Sequence, residues 1–199
     1  MNNKKYFILT IICISLFTLA HSQINLKKQA AIKFQSSLQA GSLFGQAGSK
    51  PALTVSVING IRTKEWFAGI GVGIDYYGAK RSIPLFAALQ KSLSKKPNSF
   101  FLYGNAGYNF GWLKESEKRN RGSYVNQTGG LFYDAGIGYQ FKISKINKLG
   151  FSVGYTFKQT KEAYFYPCWY CGTNIGIPPP EIENYKFRTI ALKFNWWFL

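Results

Sequence analysis

The chain has 199 residues, with 25 Lys+Arg against 8 Asp+Glu, a formal charge of +17, 18% aromatic residues and 20 glycines. A hydrophobic content of 46%, including 17 Phe, 13 Tyr and 5 Trp, excludes an intrinsically disordered chain, which could not leave so much apolar surface in water. Beyond residue 22 there is no run of about 18 apolar residues, which excludes a bundle of membrane helices.

The first segment reads as an export signal. Met1–Lys5 carries two lysines, Tyr6–Leu19 is mostly apolar, and Ala20-His21-Ser22 supplies small residues at the positions a signal peptidase reads. The expected division is therefore a signal peptide over 1–22, cleaved after Ser22, and one domain over 23–199. Cleavage removes Lys4 and Lys5, leaving 23 basic against 8 acidic residues, a net +15. It also removes His21, the chain's one histidine.

Taken in order, the segments after the signal alternate with a period of two, the pattern of strands with two different faces. Ile32–Phe44 and Ala52–Arg62 show it weakly. In Glu65–Tyr76 the residues Trp66, Ala68, Ile70, Val72, Ile74 and Tyr76 alternate with Phe67, Gly69, Gly71, Gly73 and Asp75. Ile83–Leu93 and Ser99–Trp112 follow, again weakly. Thr128–Lys142 sets Leu131, Tyr133, Ala135, Ile137, Tyr139 and Phe141 against Asp134, Gly136, Gly138, Gln140 and Lys142. Leu149–Thr160 places Phe151, Val153, Tyr155 and Phe157 opposite Ser152, Gly154, Thr156 and Lys158. The C-terminus closes the series with Ile190, Leu192, Phe194, Trp196 and Phe198 on one face.

Eight strands of this length exceed the roughly 5–6 residues usual in soluble sheets and reach the roughly 9–11 that cross a bilayer. One face is apolar and aromatic, while the other carries Gly, Ser, Thr, Asn, Gln and a few charges, as in a membrane barrel with a polar interior. Closure is required, because an unpaired edge in lipid leaves backbone groups unsatisfied. An eight-stranded bore has room only for side chains. Inward glycines then make space for Phe67, Phe86, Tyr103 and Trp197, and the bore is expected to be filled. The connections Thr63-Lys64, Ser94–Asn98 and Ile143–Lys148 are short. Gly45–Pro51, Tyr77–Ser82, Leu113–Gln127 and Lys161–Asn184 form the other set, expected to face outward from the cell.

The run Ile83-Pro84-Leu85-Phe86, Lys95-Lys96-Pro97-Asn98 and Tyr103-Gly104-Asn105-Ala106-Gly107-Tyr108, with the ending Ala191–Leu199, resembles the small eight-stranded outer-membrane barrels of Gram-negative bacteria. These are the porin-like, outer-membrane protein X-like group. The resemblance spans about Ile32–Leu199. It implies an all-β, up-and-down transmembrane barrel in the outer membrane, and insertion by the barrel-assembly machinery. That machinery would read the C-terminal strand through Phe194, Trp196 and Phe198. The aromatic here is penultimate to Leu199, a departure from the group's pattern.

The enzymes among such barrels resemble one another in relying on a histidine, which the mature chain lacks. Lone serines such as Ser152 have no activating base in sight, and no catalytic residue, metal site or cofactor is expected. Asp134, Lys142, Lys158 and Lys193 fall on the inner face and are expected to form a charge network, with Asp134 and Lys193 as one pair, since an unpaired buried charge is costly. Cys168 and Cys171, in a C-x-x-C without a thioredoxin-like setting, read as a local disulfide made during export. Lys80, Arg81, Lys114, Lys118, Arg119 and Arg121 fall on outer connections, where they would meet lipopolysaccharide phosphates. An exported chain without a recognition-helix pattern is not expected to bind nucleic acid. The expected protein is a monomer among outer-membrane lipids, with a structural or surface-interaction role. The other readings are a narrow channel for small solutes and a secreted lipocalin-like carrier.

Overall fold

The structure is a computed structural model and describes residues 32–45, 50–77, 80–112, 124–144, 146–165 and 181–198. The segment read as a signal lies outside these residues. Among the described residues there are nine strands: β1 (Lys33–Phe44), β2 (Ala52–Thr63), β3 (Trp66–Tyr77), β4 (Lys80–Ser92), β5 (Ser99–Trp112), β6 (Tyr124–Thr128), β7 (Gly130–Lys142), β8 (Lys148–Phe165) and β9 (Glu181–Phe198). β6 and β7 pair in turn along the same edge of β8, so they form one stave of the wall. Between them Gly129, Gly130 and Leu131 lie opposite only Gln159 and Thr160, a bulge that inserts one residue. The eight staves are all antiparallel, and β9 pairs with both β8 and β1, closing the sheet.

The ladder fixes the barrel's geometry. Register followed from Phe34 through Ile61, Ala68, Leu89, Gly104, Ala135, Tyr155 and Ile190 returns to β1 at Phe44, ten residues along. Eight staves with a stagger of ten tilt the strands by about 40° and leave an interior just wide enough for side chains.

The alternation in sequence becomes inside and outside. Phe34, Trp66, Phe100, Tyr139 and Trp196 are exposed toward the short-turn ends of the strands. Phe44, Tyr76, Tyr108, Phe110, Trp112, Tyr133 and Tyr155 are exposed toward the other ends. Between the two rings the outer face is aliphatic, with Val57, Ile70, Leu89, Leu102, Ile137, Val153 and Leu192, and Ile70 is 68% exposed. A soluble carrier would bury these residues around its ligand; here they point outward.

Inside, Phe67, Phe86, Phe101, Phe132 and Trp197 are buried among polar groups. Glycine is needed where a ring lies flat against the wall. A methyl group at Gly71 would sit 2.5 Å from two carbons of the Phe86 ring.

The structure extends the strands beyond the sequence expectation at the long-connection end. β8 runs to Phe165 and β9 starts at Glu181, so both ends of the expected Lys161–Asn184 connection are paired strand. β6 likewise takes Tyr124–Gln127 out of the expected connection before β7. N-terminal to Ile190, β9 has no β1 partner among the described residues, and the β8–β9 ribbon continues without it.

Candidate functional site

The polar interior follows from the inward parity of each strand. Asp134 on β7 is buried and accepts four side-chain hydrogen bonds. They come from Asn105 Nδ2 at 2.9 Å, Thr156 Oγ1 at 3.0 Å, Tyr103 OH at 3.3 Å and the Lys193 ammonium, its ion-pair partner. Four donors satisfy most of the acceptor capacity of an ionised carboxylate. Lys193 also lies 5.1 Å from the centroid of the Tyr103 ring.

Asp75 on β3 forms the second ion pair, with Lys158 on β8, and accepts a hydrogen bond from Ser82 Oγ at 3.2 Å. β3 and β8 are four staves apart in either direction, so this pair spans the diameter of the bore. The Lys158 ammonium lies between two rings, 5.3 Å from the centroid of Phe132 and 5.8 Å from that of Tyr77. The space between the two ion pairs is a cavity of ≈10 Å³, lined among others by Asp75, Asp134, Lys158 and Lys193. That is room for about one water molecule.

Above and below this centre the bore is packed. Toward the short turns, Trp197 meets Phe101 edge-on at 5.4 Å, and Asn195 Nδ2 donates to Ser152 Oγ at 2.9 Å. Gln140 Nε2 donates to Ser92 Oγ at 3.0 Å and to Ser99 Oγ at 3.1 Å. Toward the long connections, Asn109 Nδ2 donates to Thr160 Oγ1, Gln127 Nε2 to Glu162 Oε1, and Tyr164 OH to Glu162 Oε2 at 2.7 Å. On this projecting ribbon the Tyr164 phenol is held above its ordinary range. Its hydrogen bond with Tyr185 contributes most, followed by burial and the Glu162 carboxylate.

The structure brings Asp134, Lys158 and Lys193 into one interior and pairs Asp134 with Lys193. Lys158 takes Asp75, a partner that the expected pairing had not assigned to it. Lys142, expected in the bore, is exposed, because it is the last residue of β7, at the rim, where it still pairs with Lys148 but the β5 ladder has already ended at Gln140. Lys80 and Arg81 are strand residues and not part of a connection, since the β3–β4 ladder runs on to Tyr77 and Lys80. Arg81 is buried, with its guanidinium 5.3 Å from the Trp112 ring centroid. Phe194 and Trp196 line the outer face of β9, which ends at Phe198 and pairs with β1. Lys114, Lys118, Arg119, Arg121, Cys168 and Cys171 lie outside the described residues.

No protein-family model and no curated sequence matches the chain. Among solved structures, the outer membrane protein OprG from Pseudomonas aeruginosa is similar at a TM-score of 0.54 and 10% sequence identity. The match covers 83% of this chain and 95% of that one. The likeness is one of fold. The antiparallel barrel is the common ground, and so low an identity carries nothing about individual residues.

Proposed function

We propose that the protein is a small integral barrel of the outer membrane, without catalytic activity, whose role is structural or one of surface interaction. The observation that carries this reading is the combination of a predominantly apolar outer face, ringed by aromatics at both ends, with a bore plugged by two buried ion pairs. Outward apolar bands with flanking aromatic girdles are what a bilayer selects. A bore whose central cavity holds about one water offers no path to a solute. In this setting the start of β1, the end of β9 and the short turns face the periplasm, and the β8–β9 ribbon stands on the outer side.

Gel mobility of the detergent-extracted protein, unboiled against boiled, tests the membrane barrel. A shift on heating is expected, and a protein that stays soluble without detergent would overturn the reading. Conductance across a planar bilayer tests the filled bore separately. A flat trace is expected, whereas steady unitary steps would replace the structural reading with that of a channel.

A further inference from the structure

The short-turn end of the barrel carries a pocket that the sealed bore does not use. Its volume is ≈420 Å³, and its lining comes from three places in the chain: Arg62 near the end of β2 with Lys64 and Glu65 of the turn that follows, Lys95 and Lys96 between β4 and β5, and Lys148 at the start of β8. Volumes of about 300–1,000 Å³ are those of small-molecule sites. Five cations thus surround one carboxylate, and among the described residues none of the five is ion-paired.

Three features show that this is more than solvated surface charge. Arg62 is held in place by hydrogen bonds from Nε to Gln35 Oε1 and from Nη1 to Ser92 Oγ, while its buried Nη2 has no partner. Gln140, also lining the pocket, is 1% exposed, donates both its described hydrogen bonds through Nε2, and leaves Oε1 without a donor. Lys64 sits in the left-handed region at φ 52°, a conformation that Gly or Asn would adopt more easily. A fixed guanidinium with a free donor, flanked by flexible ammoniums, matches a tetrahedral oxyanion. The neighbouring orphan acceptor calls for a hydroxyl on the same ligand.

We infer that this mouth binds a phosphate group carrying a neighbouring hydroxyl, either on a small soluble molecule or on a lipid headgroup. Among the described residues Glu65 is the one acid in the pocket, one carboxylate against five cations. The inference concerns a different end of the barrel from the filled bore and stands whether or not that bore conducts.

The test is calorimetric titration of the chain in a maltoside detergent, which itself carries no phosphate, with glycerol 3-phosphate and with dihexanoyl phosphatidylglycerol as probes. The variant Lys95→Gln/Lys148→Gln is compared with Lys161→Gln/Lys186→Gln, which removes the same charge from exposed positions of the β8–β9 ribbon. Arg62→Gln is added once its heat-shifted gel mobility shows a folded barrel. One-site binding of glycerol 3-phosphate, weakened at least tenfold by the mouth variant and less than twofold by the other, is expected. That outcome identifies a soluble source. The same pattern with the short-chain lipid alone identifies a headgroup. No saturable binding of either probe, or equal weakening in both double variants, overturns the proposal.

Discussion

The middle of the bore and its short-turn mouth treat charge in opposite ways. In the middle, two carboxylates meet two ammoniums, each pair sealed from water. At the mouth, five cations share one carboxylate; Lys64, Lys95 and Lys96 are exposed to solvent, and Arg62 and Lys148 are half-buried. The dielectric explains the contrast. Where water is excluded, an unpaired charge costs several kcal/mol and must find a partner within the chain. Where water remains, an excess of one sign is tolerated and is free to serve a partner from outside.

That contrast fails if the central charges prove dispensable, so the largest effect is expected there. Asp134→Ala removes four acceptor contacts and strands Lys193, and should cost about 3–5 kcal/mol in urea unfolding from lipid vesicles. Adding Lys193→Met to Asp134→Asn should recover much of the loss, and a double-mutant cycle with no coupling would dissolve the pair. Asp75→Asn keeps the Ser82 contact within reach but strands Lys158, and should cost about 2–3 kcal/mol by the same measurement. Gly71→Ala sharpens the packing side of the argument. Its methyl group collides with the Phe86 ring, an overpacking worth about 1–3 kcal/mol, which Phe86→Leu in the same chain should relieve. Lys148→Gln sits at the other extreme and should leave unfolding within about 0.5 kcal/mol of the parent. A loss at Lys148 as large as that at Asp75 would show that mouth and middle are not separate regimes.

How much of this was legible in the residue string depended on the solvent each strand meets. Ile70, Val72 and Ile74 alternating with Gly71, Gly73 and Asp75 announce a two-faced strand because one face is uniformly apolar. The alternation fades at Lys161–Phe165 and Glu181–Lys186, where both faces are polar or mixed. The ribbon there was read as a connection although its backbone pairs throughout. The bulge at Gly129 has a similar effect, since the inserted residue swaps the faces, with Gln127 and Gly130 both inward. Within the bore, parity revealed which charges face inward but not who meets whom. Lys158 reaches Asp75 because closure sets β8 opposite β3, and nothing within either strand records that distance. Lys142 has the right parity and the wrong depth. The mouth site was the least visible part, because it is assembled from three places in the chain, each of which alone reads as ordinary surface charge.

The pair that spans the diameter has a consequence for the route by which the barrel forms. Asp75 and Lys158 are 83 residues apart and meet across the bore of the closed barrel. In any half-built sheet both groups are still hydrated, so their water must be stripped at the moment the seam shuts, late in the reaction. An interaction absent from the transition state leaves the folding rate almost untouched and acts on the reverse step. The brace across the bore therefore sets a lifetime: it governs how long a finished barrel takes to spring open.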